Sequence, residues 1–311
     1  MSTLKQTTYC ANLWKEIYID DKGDVYGCCI KKPHVLGNIY NEKLEDIWNN
    51  KTLHFFRKKS LAGQLSCFNR CTLTRNKTEY PHNSPTAPFS SLENLSIRFG
   101  QACQLRCIMC SLDHKDKGSL NLKRILPNLD LTHIKLICIQ GGEPLFIKAA
   151  KDFFDHAYSL GKKVSFLTNG LMINDEWAKK ISICSPFVYF SINAATKKTH
   201  ELINKGSRWE IVLKNIQRVR DAREKYNTNI KIFGHMTIVI ENLPEIPLFI
   251  EKFKRLGFDK INFGFDSSVP LYLTSHLKEM LHLRIKIRKA LENSCDYDKI
   301  DLHQLNILGL V

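Results

Sequence analysis

The sequence lacks the long apolar segments that membrane-spanning and exported proteins carry. No run reaches the about 18 consecutive apolar residues that a membrane-spanning helix requires. The first twenty residues include Lys5, Lys15 and Glu16 and no continuous apolar core, so no signal peptide is recognisable. Hydrophobic residues make up 43% of the chain, which excludes overall disorder. We therefore expect a cytoplasmic globular protein of one large domain or two ordinary ones.

Acidic residues are also in deficit, with 31 Asp and Glu against 46 Lys and Arg, a formal net charge of +15. The basic residues are spread along the chain and form no block interleaved with aromatic residues, so nucleic acid is not expected as a partner. The charge suits simple solubility, a phosphorylated small molecule, or an acidic redox protein. Two common enzyme motifs are missing. There is no Gly-x4-Gly-Lys-Ser/Thr phosphate loop, and His200-Glu201 is followed by Asn204 where a zinc-protease helix needs histidine.

Eleven cysteines are many for a chain expected in a reducing compartment, where disulfides are rare. Their spacing favours metal binding instead. Eight fall into two groups and three lie outside them. The first group is Cys10, Cys28, Cys29, Cys67 and Cys71, the second is Cys103, Cys107 and Cys110, and the others are Cys138, Cys184 and Cys295.

Short apolar runs alternate with amphipathic helical stretches in the second part of the chain. Such alternation predicts βα units and a parallel sheet, curled into part of a barrel, with catalytic residues at the carboxyl ends of the strands. The predicted strands are Leu95–Phe99, Ile134–Ile139, Val164–Leu167, Phe187–Ile192, Ile230–Ile240 and Ile261–Phe265, and helices are expected at Ala149–Leu160, Trp209–Tyr226, Ile246–Leu256 and Tyr272–Glu292.

The amino-terminal part is predicted to be irregular, with a short hairpin and one helix. Glu16–Ile19 and Val25–Tyr26 read as strands, and Leu44–Lys58 has helical spacing. A stretch rich in Thr, Asn, Pro and Ser then predicts a linker. The fold class expected is α/β, a partial (β/α)6 TIM-type barrel preceded by a small cysteine-rich module. The predicted division is residues 1–75 for the module, 76–93 for the linker, 94–271 for the barrel, and 272–311 for a helix and tail packed on the barrel.

Three cysteines follow the first barrel strand, in the segment Gly100-Gln-Ala-Cys103-Gln-Leu-Arg-Cys107-Ile-Met-Cys110. Structural zinc takes four protein ligands, whereas three thiolates on a four-iron cluster leave one iron open for another ligand. The alternatives are a zinc loop or cysteines packed as small apolar residues.

This segment resembles the Cys-x3-Cys-x2-Cys signature of the radical S-adenosylmethionine (radical SAM) enzymes. Further matches follow the next strands in order: Gly141-Gly142-Glu143-Pro144, then Thr168-Asn169-Gly170, then Ser191 and Asn193. At the position of Asn193 many relatives carry Asp. The resemblance covers about residues 95–265. It implies a [4Fe-4S] cluster on Cys103, Cys107 and Cys110, whose open iron chelates the amino and carboxylate groups of S-adenosylmethionine. It further implies that the cofactor is cleaved to a 5′-deoxyadenosyl radical, which abstracts a substrate hydrogen atom. The implied cofactor contacts are Gly141, Gly142, Glu143, Pro144, Thr168, Asn169, Ser191 and Asn193, with Glu143 receiving the methionine amino group.

The amino-terminal cysteines resemble the auxiliary-cluster modules of SPASM or twitch type. The matching text is Lys22-Gly-Asp-Val-Tyr-Gly-Cys-Cys29, then Leu36-Gly37-Asn38-Ile39, Glu45-Asp-Ile-Trp48 and Arg57. The resemblance implies a second [4Fe-4S] cluster on Cys10, Cys28, Cys67 and Cys71. Cys29 could replace Cys28, and a Zn(Cys)4 site is the alternative.

The remaining polar candidates are weak. Cys138 and Cys184 read as buried packing residues. Cys295 is a possible hydrogen-atom donor, and His235 and Asp266 lie near strand ends where substrate could bind, although strand parity is unknown.

The resemblances therefore imply an oxygen-sensitive radical SAM enzyme that oxidises or rearranges its substrate. A peptide is the first choice of substrate, and a sugar, aminocyclitol or nucleotide derivative is the second. An acidic electron donor such as flavodoxin or ferredoxin is the expected protein partner. A non-catalytic iron–sulfur or zinc scaffold is the alternative of another class.

Overall fold

The computed structural model describes residues 10–28, 34–65, 84–113 and 118–311. In this part of the chain nine strands form one sheet in the order β3-β2-β1-β4-β5-β6-β7-β8-β9. Their bounds are β1 Glu16–Ile19, β2 Asp24–Tyr26, β3 Gly37–Asn38, β4 Asn94–Arg98, β5 Leu136–Gln140, β6 Lys163–Thr168, β7 Phe187–Ser191, β8 Lys231–Ile238 and β9 Lys260–Phe265.

Strands β4 to β9 pair in parallel, each with the next along the chain, and confirm the six predicted barrel strands. Side chains alternate between a face buried under helices and a less buried face that lines the inside of the curved sheet. On β7, for example, Val188 and Phe190 are fully buried, while Tyr189 and Ser191 are only partly so. Parallel pairing brings all six carboxyl ends to one edge, which is where the predicted motif residues follow the strands.

Helices cover the outer face of the barrel strands. The described helices are α1 Leu44–Trp48, α2 Lys51–Leu61, α3 Leu122–Ile125, α4 Lys148–Ser159, α5 Asp175–Cys184, α6 Lys197–Ile203, α7 Trp209–Lys225, α8 Ile246–Lys252, α9 Val269–Ser275, α10 Leu277–Glu292 and α11 His303–Ile307. Short 3-10 turns lie at Ala11–Trp14, Phe89–Ser91, Leu126–Asn128, Ile240–Glu245 and Tyr297–Lys299. None of the described helices combines the length and the apolar character that crossing a bilayer would demand.

Two predicted helices are each broken in two. The stretch 44–58 divides into α1 and α2 because Asn49 ends the first helix and Asn50 caps the second, the Asn50 side chain accepting from the Leu53 N–H at 2.8 Å. The stretch 272–292 divides at His276, where the Ser275 hydroxyl donates back to the Tyr272 carbonyl at 2.9 Å. Such local bonds compete with the helix ladder.

The amino-terminal module is not a separate body beside the barrel, because its strands continue the same sheet. β1 pairs in parallel with β4, with Ile17 opposite Leu95, and in antiparallel with β2. Trp14 and Ile17 are fully buried in a core continuous with that of the barrel. The described part of the linker is held too, since the indole N–H of Trp14 donates to the Ser84 carbonyl at 2.9 Å and that of Trp48 to the Pro88 carbonyl at 3.1 Å.

The carboxy-terminal segment packs on the barrel. α10 lies against α8. Beyond it, Ile300 bridges to Ile261 in β9, and the Asp301 N–H donates to the Ile261 carbonyl at 2.9 Å. Because Ile261 stands near the start of β9, this segment lies at the amino ends of the strands, opposite the predicted catalytic edge.

Candidate active site

The loop after β4 carries Cys103, Cys107 and Cys110 at the carboxyl edge of the sheet. Its backbone is anchored to the segment after α6, since the Arg106 N–H donates to the Lys205 carbonyl at 2.9 Å and the Ile108 N–H to the Ile203 carbonyl at 3.0 Å. The two anchors flank Cys107. They hold open a loop that has no regular secondary structure of its own.

The three thiols line one cavity and influence one another. The Cys103 sulfur accepts from the Leu105 N–H at 3.4 Å and from the Asn169 side-chain amide at 3.7 Å. Burial, together with the neighbouring Cys103 and Cys110, raises the pKa of the Cys107 thiol to about 12. Three thiolates in this loop would therefore repel one another unless a cationic centre offset their charge.

The donor set suits an iron–sulfur cluster better than a single ion. Among the described residues, no three His, Cys, Asp or Glu side chains converge closely enough to hold one metal ion. A four-iron cluster makes a different demand, because each cysteine ligates a different iron and the sulfurs stand apart. Three cysteines on one cavity wall, with N–H groups directed at the Cys103 sulfur, meet that demand.

The loop after β5 needs its glycines because it packs directly against the backbone of residues 100–102. A Cβ on Gly142 would lie 2.0 Å from the Ala102 carbonyl oxygen, and Gly141 has a φ of +133°. The Gly142 N–H donates to the Gly100 carbonyl at 3.0 Å, and the Glu143 N–H to the Ala102 carbonyl at 2.9 Å. Sequence reasoning assigns these glycines to close approach of a cofactor, whereas the structure shows that they let two loops pack backbone to backbone.

Glu143 is 1% exposed and stands at the junction of three elements. One carboxylate oxygen accepts from the Thr168 hydroxyl at 2.8 Å and the Leu145 N–H at 3.2 Å. The other accepts from the Asn169 N–H at 2.7 Å. Burial raises the pKa of this carboxyl to about 7 despite these bonds.

Asn169 connects the end of β6 to the cysteine loop. Its side-chain oxygen accepts from the Gln104 amide at 3.2 Å and from the Leu171 N–H at 3.0 Å, while its own amide reaches Cys103. The structure therefore brings three motifs from separate strands, at Cys103, Glu143 and Asn169, into one bonded group.

A cavity of about 500 Å³ opens above this group, a size typical of small-molecule sites. Six of the eight predicted cofactor contacts line it, and Pro144 and Asn193 do not. Asn193 is fully buried with φ +57°, and its amide donates to Ser191 and Asn204 while its oxygen accepts from the Thr237 N–H. The polar atoms of its side chain are thus used in hydrogen bonds that join β7 to β8. The six that line the cavity are Gly141, Gly142, Glu143, Thr168, Asn169 and Ser191.

The weak catalytic candidates differ in position. His235 faces the inside of the barrel between Asn262 (2.9 Å) and Thr237 (3.2 Å), and burial lowers its pKa. Asp266 accepts from the N–H and hydroxyl of Ser268, which lower its pKa and fix it in the turn before α9. Cys295 is exposed and lies after α10, at the amino ends of the strands. That position does not fit a hydrogen-atom donor to the cavity.

Cys184 and Cys138, both predicted to be buried packing residues, differ in position. Cys184 is 5% exposed and packs in the core, as predicted. Cys138 is not simply a packing residue, since it lines the cavity and its sulfur accepts from the Ser165 hydroxyl at 3.6 Å. It lies on the inner face of β5, which the apolar character of that strand concealed.

The auxiliary-cluster residues are described only in part. The Cys10 N–H donates to the Ser60 hydroxyl at 2.9 Å. Cys28 lies close enough to β1 for its charge to add to the burial that raises the pKa of Glu16. Cys29, Cys67 and Cys71 lie outside the described residues, so the four-ligand set stays a prediction.

Sequence reasoning missed several residues that line the cavity or support it. Arg98, Gln140, Tyr189 and Thr237 line it from the inner face of four strands. A polar residue alternating with buried ones along a strand is the signal that could have found them, but it needs the strand register. His200, whose ring nitrogens contact the Ile192 carbonyl at 2.6 Å and the Ser207 hydroxyl at 2.7 Å, supports the segment that anchors the cysteine loop.

Comparison with known proteins gives matches to two family models and to curated relatives. The model described as the radical SAM superfamily matches residues 97–246, and an iron–sulfur cluster-binding domain, SPASM, matches residues 10–72. The mycofactocin maturase MftC of Mycobacterium tuberculosis is 26% identical over 127 residues, covering 39% of this chain and 32% of the relative. The Mycobacterium ulcerans protein of the same name is 25% identical over 127 residues, covering 39% of this chain and 34% of the relative. The match spans about a third of the length of these relatives.

Solved structures give a more distant likeness. SuiB of Streptococcus suis, bound to the precursor peptide SuiA, aligns with a TM-score of 0.48 at 16% identity, over 89% of this chain and 68% of that one. TYW1 with a lysine-pyruvate adduct aligns with a TM-score of 0.43 at 17% identity, over 64% of this chain and 74% of that one. The radical SAM domain implies a [4Fe-4S] cluster and S-adenosylmethionine, and the SPASM domain implies further iron–sulfur clusters. With both family models matched and the radical SAM motifs gathered at one cavity, the chain carries a radical SAM domain and, ahead of it, a SPASM domain.

Proposed function

We propose that this chain is a radical SAM enzyme that abstracts a hydrogen atom from a peptide and oxidises or rearranges it. The observation that carries the proposal is the convergence of Cys103, Glu143 and Asn169 from three separate strand ends at one cavity. When bound, the reduced cluster and S-adenosylmethionine supply a 5′-deoxyadenosyl radical, which removes a hydrogen atom from the substrate.

The protein's own part is binding and orientation. Cys103, Cys107 and Cys110 would hold the cluster. A carboxylate offers about four acceptor positions, and protein groups use three of those on Glu143, so one remains for the cofactor's ammonium group. Asn169 sets the position of that carboxylate relative to the cysteine loop.

The amino-terminal segment would hold a second [4Fe-4S] cluster on Cys10, Cys28, Cys67 and Cys71, with Cys29 as the alternative to Cys28. Its resemblance to SPASM modules, and the naming of the curated relatives as maturases, support a peptide as substrate. The net charge of +15 supports an acidic electron donor. Two oxygen-sensitive clusters and eleven cysteines suit the reducing cytoplasm, which we propose as the compartment.

Metal content and cofactor cleavage test this function together. Anaerobically reconstituted protein should carry about eight irons, and the triple variant Cys103→Ala, Cys107→Ala, Cys110→Ala about half of that. With dithionite and S-adenosylmethionine, the wild-type chain should form 5′-deoxyadenosine and the triple variant none. Stoichiometric zinc in the amino-terminal site would contradict the two-cluster assignment. A wild-type protein that holds iron but cleaves no S-adenosylmethionine would be a scaffold and not an enzyme.

A further inference from the structure

Arg98, the last residue of β4, is a cation that has no counter-charge close to it among the described residues lining the cavity. Its side chain lines the cavity beside Gly141, whose added Cβ would lie 3.5 Å from the Arg98 Cγ. The Nε atom is buried and has no hydrogen-bond partner in the part of the chain that the structure describes. Of the described residues that line the cavity, Arg98 is the one cationic side chain.

The carboxylate that shares the cavity does not satisfy Arg98. Glu143 is the one acidic side chain among the described lining residues, and its bonds go to Leu145, Thr168 and Asn169. The buried Nε–H of Arg98 has lost water without gaining an acceptor, and this costs free energy. An anion that enters the cavity would offset that cost, so binding it would be favourable.

The neighbours of Arg98 suit an anion with a single charge. Arg98 stands opposite Gln140 on β5, and Tyr189 faces the same cavity from β7. Burial raises the pKa of the Tyr189 phenol, which therefore remains a hydrogen-bond donor. The planar guanidinium matches the two oxygens of a carboxylate, and one cation balances one carboxylate without the further donors that a phosphate dianion demands.

We propose that Arg98 binds a carboxylate of the substrate, so that the enzyme acts on a peptide at or beside an acidic residue or a free carboxyl terminus. This rests on the proposed function, since it names the substrate group that the same cavity receives. The methionine carboxylate of the cofactor has the same chemistry, so the test separates these two sources.

Ligand-observed NMR on the anaerobically reconstituted full chain provides the test, with N-acetyl-glutamate methylamide and N-acetyl-glutamine methylamide as probes. The two probes differ in one charge and almost nothing else. Wild-type protein should bind the glutamate probe roughly 10- to 100-fold more tightly. Arg98→Gln should abolish the preference, and Arg98→Lys should keep part of it, because lysine retains the charge but not the planar fork.

Arg288→Gln is the matched control, because it removes one positive charge from the exposed face of α10, outside the cavity. It should leave the preference unchanged, which excludes attraction by the net charge of the molecule. Circular dichroism and iron content of all variants show whether they fold.

Equal or undetectable binding of the two probes to wild-type protein, or a preference that survives in Arg98→Gln, would overturn the proposal. So would a tenfold loss of S-adenosylmethionine affinity in Arg98→Gln, measured by equilibrium dialysis, because Arg98 would then bind the carboxylate of the cofactor. If the wild-type protein does not cleave S-adenosylmethionine and the probe preference still depends on Arg98, the proposed function fails and the carboxylate site stands.

Discussion

At the scale of single residues, Glu143 combines full burial with a charge. Burial raises the pKa of its carboxyl to about 7, whereas the ordinary value in the unfolded chain is near 4.5. Between these two pH values the folded apoprotein keeps the carboxyl protonated and the unfolded chain does not. The stability that the protonated form contributes is complete below about pH 4.5 and is lost as the pH rises through 7. The site thus stores a desolvation cost at neutral pH that a bound ammonium group would relieve.

Glu143→Gln should make this cost visible. Glutamine does not titrate, so the variant does not lose this stability as the pH rises. Relative to wild type, the unfolding free energy of the variant should increase by about 2–3 kcal/mol from pH 5 to pH 8. Urea unfolding of the two apoproteins at both pH values measures it. Any fixed penalty from the new amide cancels in the comparison. A difference that does not change with pH would show that Glu143 is not desolvated in the apoprotein.

Resemblance to family motifs predicted the residues of this site. Cys103, Glu143 and Asn169 were recognisable because each stands in a motif that follows a predicted strand. Arg98 and Cys138 were missed, and Asn193 was assigned to the cofactor, because which face of a strand a residue occupies depends on register with its neighbours. Short apolar runs carry no such information by themselves.

At the scale of elements, two loops are held together by backbone alone. The segment around Gly142 lies so close to residues 100–102 that no side chain fits between them. The cysteine loop therefore depends for its position on a glycine in a different βα unit.

Gly142→Ala should displace the cysteine loop and cause loss of the cluster that it holds. A Cβ would stand 2.0 Å from the Ala102 oxygen, so backbone must move, at a cost of several kcal/mol. Gly161→Ala is the matched control, since a Cβ there meets nothing within 4 Å and only φ of +67° opposes it, at about 1 kcal/mol. Iron content after reconstitution and thermal unfolding are the measurements. Equal iron content in both variants would show that the loop tolerates the displacement.

The barrel strands were predictable because each is an apolar run followed by an amphipathic helix. Strands β1 to β3 were harder to predict, since they have only two to four residues each and their place in the sheet depends on β4, which lies far along the chain. The helix breaks at Asn50 and His276 were missed because apolar periodicity continues across them, while side-chain bonds to the backbone decide where each helix ends.

At the scale of the whole molecule, the sheet makes the barrel and the SPASM segment one unit. The fragment 94–311 would expose the backbone edge of β4 and the apolar surface that Trp14 and Ile17 cover. We expect it to aggregate when expressed, whereas the control fragment 10–311, which keeps β1, should remain a folded monomer.

Size-exclusion chromatography with circular dichroism distinguishes the outcomes. A monomeric 94–311 fragment with a cooperative unfolding transition would show that the barrel folds without β1, and that the predicted linker at residues 76–93 separates independent domains.

The pairing of β1 with β4 also has a consequence for the order in which the chain folds. Ile17 and its partner Leu95 are 78 positions apart, so this contact closes a long loop, and such non-local pairing is slow. Three short strands bury too little surface to persist alone, so β1 to β3 remain uncovered during synthesis until β4 has emerged. The segment made before the barrel is thus among the last to reach its final state, and loading of the proposed cluster on Cys10 and Cys28 would have to wait for the barrel.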